Sequence, residues 1–233
     1  MGFQRTIECE LLDWLPASDP DAKASRRDLQ RLNVLMGHAG IFKRVLLEFW
    51  QRNKSPSILE LGAGDGTLML AIARLLSPRW SDIDLTLLDR HQLLSEESRK
   101  NFIALRWNVE TVTADVFSFL DNEHASRYDI ILTNLFLHHF PERDLARLFG
   151  EIASLAPLFV AVEPRRDWRA LIASRALWAI GCNDVTRHDA QASVRAGFTG
   201  KELSQLWPKV HGWELRDEAA GLFSHCFVAH HGT

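Results

Sequence analysis

From residue 57 onward, short apolar runs alternate with longer amphipathic ones. The runs at 58–61, 83–88, 109–114, 128–133 and 158–162 are brief, apolar and bounded by polar or turn residues, which predicts five strands. Between them, residues 68–76 and 96–105 read as helices. So does a segment that starts at Pro141 and carries Leu145, Leu148, Phe149 and Ile152 on one face. Strands that alternate with helices imply a parallel sheet covered on both faces. The last stretch, WELRDEAAGLFSHCFVAHH, reads as two strands joined around Gly221, and so short a connection requires an antiparallel pair. The expected fold is therefore α/β, with five parallel strands and an antiparallel pair closing the sheet.

Two regions fall outside the alternation. Residues 16–24 are polar and predict a loop, after which Ser25, with Asp28 three residues on, reads as a helix N-cap. Leu29, Leu32, Leu35 and Met36 share a face and Gly37 ends the pattern, with a second helix expected over 41–50. Lys54-Ser55-Pro56-Ser57 then breaks the chain, so residues 1–54 are expected to form a helical cap on a main domain of 55–233. Residues 167–210 read as a helical insert without strands that contributes to an acceptor pocket.

Composition narrows this picture. The 233 residues are 46% hydrophobic and 24% charged, the balance of a soluble globular protein. A net charge of −3 and a pI of about 6.4 provide no global field for nucleic acid. Cys9, Cys182 and Cys226 have neither metal-ligand spacing nor a disulfide pattern, which suggests a reducing cytoplasm. The N-terminal residues lack a signal-type apolar core, and no apolar run approaches the ~20 residues that span a bilayer. Eight Trp against one Tyr is unusual; packing explains most of them, and stacking on an aromatic substrate is the alternative.

The densest chemical signal is ILELGAGDGT at 58–67: a buried-type strand, glycines at Gly62, Gly64 and Gly66, then a helix. That succession exposes backbone N–H groups at a helix start and predicts a nucleotide-type pocket. The third glycine comes one residue earlier than in the dinucleotide fingerprint G-x-G-x-x-G, which weakens an NAD reading. Glu60 and Asp89, at the ends of the first two strands, would oppose a pyrophosphate. They suit a ligand with a cationic amine and ribose hydroxyls.

ELGAGDG resembles the first motif of the class I S-adenosylmethionine-dependent methyltransferases, and the resemblance continues in order through LTLLDR, VTADVF, YDIILTNLFLHHF and LFVAVEP. It covers 57–164 well and the C-terminal hairpin by pattern. It implies a Rossmann-like seven-stranded, mostly parallel sheet with a C-terminal antiparallel hairpin and helices on both faces. It also implies S-adenosylmethionine as cofactor, contacted by Glu60, Gly62, Ala63, Gly64, Gly66, Asp89, Arg90, Asp115, Val116, Asn134 and Leu135. In that scheme Glu60 stands near the amino group, Asp89 takes the ribose hydroxyls, and Asp115 with the Val116 N–H meets the adenine. Asn134 and Leu135 line the donor methyl. Asp115 also reads as an N-cap for VFSFL, and both roles are compatible.

Methyl transfer needs a base only where the acceptor must lose a proton. His138 and His139, just after the fourth strand, are the candidates for catalysis; capping or packing is the alternative for either. Arg165, Arg166 and Trp168 after the fifth strand, and His188 and Arg195 seven residues apart, are candidates for the acceptor side. The strand ends hold Asn134 and Glu163-Pro164, an incomplete set for the metal-dependent type, so no metal is expected. The leading expectation is an enzyme that O-methylates a small aromatic or polyketide-like molecule, without membrane or nucleic-acid partner. RNA or protein methylation through a basic patch of Arg26, Arg27, Arg31, Arg165 and Arg166 is one alternative; a non-catalytic binding module is another.

Overall fold

The computed structural model describes residues 3–50, 55–77, 79–121 and 127–232, so the boundary expected at residue 54 lies outside them. The chain forms strands β1 (Ser57–Leu61), β2 (Ile83–Asp89), β3 (Trp107–Thr113), β4 (Ile130–Asn134), β5 (Leu158–Pro164), β6 (Trp213–Ala220) and β7 (Ser224–His231). The helices are α1 (Pro20–Leu35), α2 (His38–Phe49), α3 (Thr67–Leu76), α4 (Glu96–Ala104), α5 (Val116–Leu120), α6 (Glu142–Leu155), α7 (Trp168–Arg175), α8 (Asp184–Ala196) and α9 (Glu202–Leu206). One sheet runs in the order β3-β2-β1-β4-β5-β7-β6. The four pairings among β1 to β5 are parallel, and β7 is antiparallel to both β5 and β6, the latter as the short Gly221 connection requires.

Period-2 alternation sorts the strands into two core layers. Ile58, Ile130, Leu132 and Val160 face Phe42, Leu46, Met69 and Ile72 of α2 and α3. Leu59, Leu61, Ile131 and Phe159 face Phe149, Ile152 and Trp207 of α6 and the segment after α9. All seven residues of β5 are buried, as befits a central strand covered on both faces. The order reverses between β1 and β4, and the crevice beyond their C-terminal ends is where such a sheet binds ligands.

The N-terminal half departs from expectation in one respect. Asp19, not Ser25, caps α1: its carboxylate accepts from the Asp21 and Ala22 N–H groups, and Pro20 occupies the first helical position. An Asp-Pro start preorganises the first turn. Ser25 and Asp28 are then free to face inward, where both meet the Thr186 hydroxyl of α8, at 3.0 and 3.1 Å. Gly37, in the left-handed region at φ +69°, ends α1 and starts α2.

The insert carries α7, α8 and α9 with no strand beyond an isolated bridge at Phe198, but it does not line the cavity described below. Its α8 instead backs the N-terminal strap of residues 3–14. Asp189 accepts from the Leu11 and Leu12 N–H groups (2.8 and 3.0 Å), and Thr6 N–H donates to Arg195 O at 3.1 Å. Among the described residues, no helix is long and apolar enough to cross a membrane.

Candidate functional site

A cavity of about 660 Å³ opens at the reversal point of the sheet. Its floor is the glycine turn. Asp89, at the end of β2, accepts from Gly64 N–H (2.9 Å) through one oxygen and from His91 N–H (2.9 Å) through the other. Ala63 N–H donates to Leu88 O at 3.0 Å, so the turn is clamped to the neighbouring strand. Gly62 and Gly64 both hold positive φ, +69° and +57°. A Cβ on Gly62 would lie 2.4 Å from Cδ2 of Phe136, whereas one on Gly64 would meet nothing within 4 Å. Gly64→Ala therefore costs only the left-handed backbone penalty, ~1–2 kcal/mol. Gly62→Ala adds a ring displacement in the cavity wall and is expected to give the larger drop in melting temperature and cofactor affinity. Parallel thermal melts check this, and equal losses in the two variants would refute the clash.

The acids gather on one side. Glu60 lies on the face of β1 that carries Ile58, is 2% exposed, and leaves Oε2 buried without a hydrogen-bond partner. Burial first, then the charges of Asp65 and Asp89, push its carboxyl up to about 8. A buried, unsatisfied carboxyl at a cavity wall calls for a cationic donor. Asp115 caps α5 with Oδ1 alone, accepting from Phe117 and Ser118 N–H, so Oδ2 remains for a ligand. The cap is therefore observed, and it leaves the second oxygen open to the cavity. Asn134 donates to Asn33 of α1 (3.3 Å) and keeps a buried, unpartnered Oδ1. Leu135 is held at φ +52°, uncommon for a residue with a branched side chain.

Glu60, Gly62, Ala63, Gly64, Asp89, Arg90, Asp115, Val116, Asn134 and Leu135 all line the cavity; Gly66 does not. A Cβ there would press on Leu87 and Leu94 side chains at 3.0 and 3.1 Å, so its smallness serves the packing of α3 on β2.

The paired histidines separate. His139 lines the cavity, with Nδ1 3.5 Å from Asp13 Oδ2. Burial first, then the charge of His138, hold it below the usual imidazole value. His138 lies behind it, ring centroids 4.3 Å apart, and is 2% exposed. Its Nδ1 meets Glu163 at 2.8 Å and its Nε2 meets Glu10 at 3.2 Å. Burial alone lowers His138, but the two carboxylates more than reverse this and hold it at about 9. Glu163 also accepts from the Phe136, Leu137 and His138 N–H groups. It is the anchor of the turn after β4 and does not line the cavity.

The proposed acceptor-side residues do not reach the cavity. Arg165 sits 3.8 Å from Asp167, and Trp168 faces solvent, 54% exposed. His188 bonds Asp189 and Arg195 pairs with Glu8. Arg166 is buried, donating to Phe3 O and Gly197 O and paired with Glu202, so it is spent on structure and adds nothing to a basic patch. Apolar and aromatic lining comes instead from the N-terminal strap (Ile7, Cys9, Leu12, Trp14), from Leu29 of α1, and from Phe136 and Phe140. Of the tryptophans, Trp14 is the one in the cavity lining. A polar stripe on α1 faces the cofactor side: Arg26, Gln30 and Asn33, spaced four and three apart, with Gln30 donating to Asp65 and Thr67. That spacing was the signal available in the sequence.

Residues 58–156 match the family model described as a methyltransferase domain. No curated protein matches the chain. Among solved structures, the chain is similar to the pyocyanin biosynthetic protein PhzM (22% identity, TM-score 0.59, covering 96% of this chain and 62% of that one). It is similar to the mitomycin 7-O-methyltransferase MmcR (20%, 0.59, 95% and 60%). Human N-acetylserotonin methyltransferase, solved in complex with S-adenosylmethionine, is a third (14%, 0.56, 95% and 61%). At these identities the likeness is one of fold, and the chain spans about three fifths of the length of these structures. The seven-stranded fold expected from ELGAGDG is thereby upheld, and the region that carries the motif matches a methyltransferase domain. The residues in place fit S-adenosylmethionine: an unpaired buried carboxyl for an ammonium, a strand-end Asp for a ribose, and a free Asp115 oxygen for an amino group.

Proposed function

On the methyltransferase domain that residues 58–156 carry, we propose that this chain transfers a methyl group from S-adenosylmethionine to an oxygen of a small aromatic or polyketide-like molecule. The observation that carries the reading is the division of a single cavity. Cofactor-type acids lie on one side. A histidine among aromatic and aliphatic side chains lies on the other. When bound, S-adenosylmethionine supplies an electrophilic methyl on a sulfonium. Glu60, Asp89 and Asp115 would hold its amine, hydroxyls and adenine. An acceptor hydroxyl must shed its proton. His139 would take it: with Nδ1 turned to Asp13, Nε2 would be the nitrogen that accepts. The strap residues Ile7, Leu12 and Trp14 exclude water and orient a flat apolar acceptor.

Three features favour a small acceptor over RNA or protein: the cavity is walled by the strap, Arg166 is buried, and two of the structures similar to this chain are named as O-methyltransferase or biosynthetic protein. The free cysteines, Cys9, Cys182 and Cys226, suit a reducing cytoplasm. The test is transfer of labelled methyl from S-adenosylmethionine to a panel of phenols, hydroxylated polyketides and total RNA. Label in the phenolic or polyketide fractions is expected. Label confined to RNA, or no cofactor binding at millimolar concentration, would sink the reading.

A further inference from the structure

Glu10, His138 and His139 present one ligand atom each within 4.8 Å of one another, and His139 carries the cluster to the cavity wall. We propose that these three side chains bind a zinc-type divalent transition-metal ion. The expectation of no metal rested on the ends of β4 and β5, and this proposal departs from it. This cluster is assembled differently, from the strap and the turn after β4, and no sequence spacing announces it.

The geometry has the marks of a built site. Glu10 Oε1 is 3.2 Å from His138 Nε2, and Glu10 Oε2 is 4.0 Å from His139 Nε2. Donors around a tetrahedral zinc stand about 3.3 Å apart, so from separations of at most 4.8 Å the side chains would draw together by no more than about 1.5 Å. Each imidazole has a carboxylate on its other nitrogen: Glu163 on His138 Nδ1 at 2.8 Å, Asp13 on His139 Nδ1 at 3.5 Å. Such outer carboxylates fix the tautomer and aim Nε2 at a metal. Glu10 is itself held by the Ser193 hydroxyl. Two imidazoles and one carboxylate suit zinc or cobalt; magnesium and calcium take oxygen ligands. His139 and Asp13 line the cavity, so the fourth position opens towards it.

An ion there would displace the proton that His138 shares with Glu10, would occupy the His139 nitrogen used by the proposed reaction, and would tie the strap to the turn after β4. Zinc would therefore inhibit methyl transfer, a consequence that rests on the proposed function. The binding itself does not, and it is read without cofactor or acceptor. The full chain, stripped with a chelator, is dialysed against micromolar Zn²⁺ and the bound metal counted by mass spectrometry; Co²⁺ provides a visible-absorption probe of coordination. One ion per chain is expected, with at least about tenfold weaker binding in Glu10→Gln and in His139→Ala. Substoichiometric metal in the wild type, or equal uptake by both variants, would overturn the site. His139 is half-buried at the cavity wall, so its variant is expected to fold, and circular dichroism of both variants separates lost binding from lost structure.

Discussion

Glu60→Gln is expected to weaken S-adenosylmethionine binding about 10- to 150-fold near pH 8, the worth of a hydrogen bond to a charged group. The wild type holds a carboxyl at about 8, so at neutral pH it is mostly protonated before any ligand arrives. A ligand ammonium beside Glu60 favours the carboxylate, so binding should release close to one proton at pH 7. Affinity should climb as pH rises towards 8 and then level. Calorimetry in buffers of different ionisation enthalpy reads the proton directly, and Glu60→Gln should abolish it. The same residue shapes the stability of the free protein. Its folded pKa lies above the unfolded value of 4.5, so the folded chain keeps a proton that the unfolded chain has shed. That contribution is fully present below about 4.5 and is lost as pH rises through about 8, up to ~5 kcal/mol across the window. The variant should therefore lose less stability than the wild type between pH 5 and 8. No proton release by the wild type would mean that Glu60 does not meet the ligand's charge.

The cofactor half of this cavity was legible because its physics is local. A strand whose apolar residues face two cores, a turn that needs left-handed glycines, and acids at strand ends all leave marks within a few residues. The acceptor half was not. Trp14, Leu12 and Asp13 reach the cavity because α8 hydrogen-bonds the strap nearly 180 residues away in sequence, through Asp189. No short-range pattern encodes such a contact. For the same reason Arg165, Trp168, His188 and Arg195, which follow the sheet's functional edge in sequence, do not line the cavity. Ser25 was mistaken for a cap because the S-x-x-D pattern takes no account of the stronger Asp19-Pro20 start. His138 and His139 show the limit most plainly. The dipeptide marks the right place, yet only burial distinguishes a histidine locked between carboxylates from one that meets the cavity.

That distinction predicts the larger kinetic effect. His139→Ala should lower kcat for the hydroxyl acceptor about 10²- to 10⁴-fold, the usual contribution of a general base. The affinity for S-adenosylmethionine should stay near wild type, because Glu60, Asp89 and Asp115 are untouched. His138 cannot substitute. It is 2% exposed, both its nitrogens are engaged by Glu163 and Glu10, and it stays protonated up to about 9, with no lone pair for a second proton. Its role is to place His139: the cationic ring 4.3 Å away helps keep His139 neutral near pH 7 and hence able to accept. Rates are best compared after chelator treatment, so that a bound metal does not mask the imidazole. Should kcat in His139→Ala match the wild type, the acceptor atom needs no base, and methylation of a nitrogen or of an already ionised oxygen would replace the present reading. A parallel loss in kcat and in cofactor affinity would instead mark His139 as part of the cofactor wall.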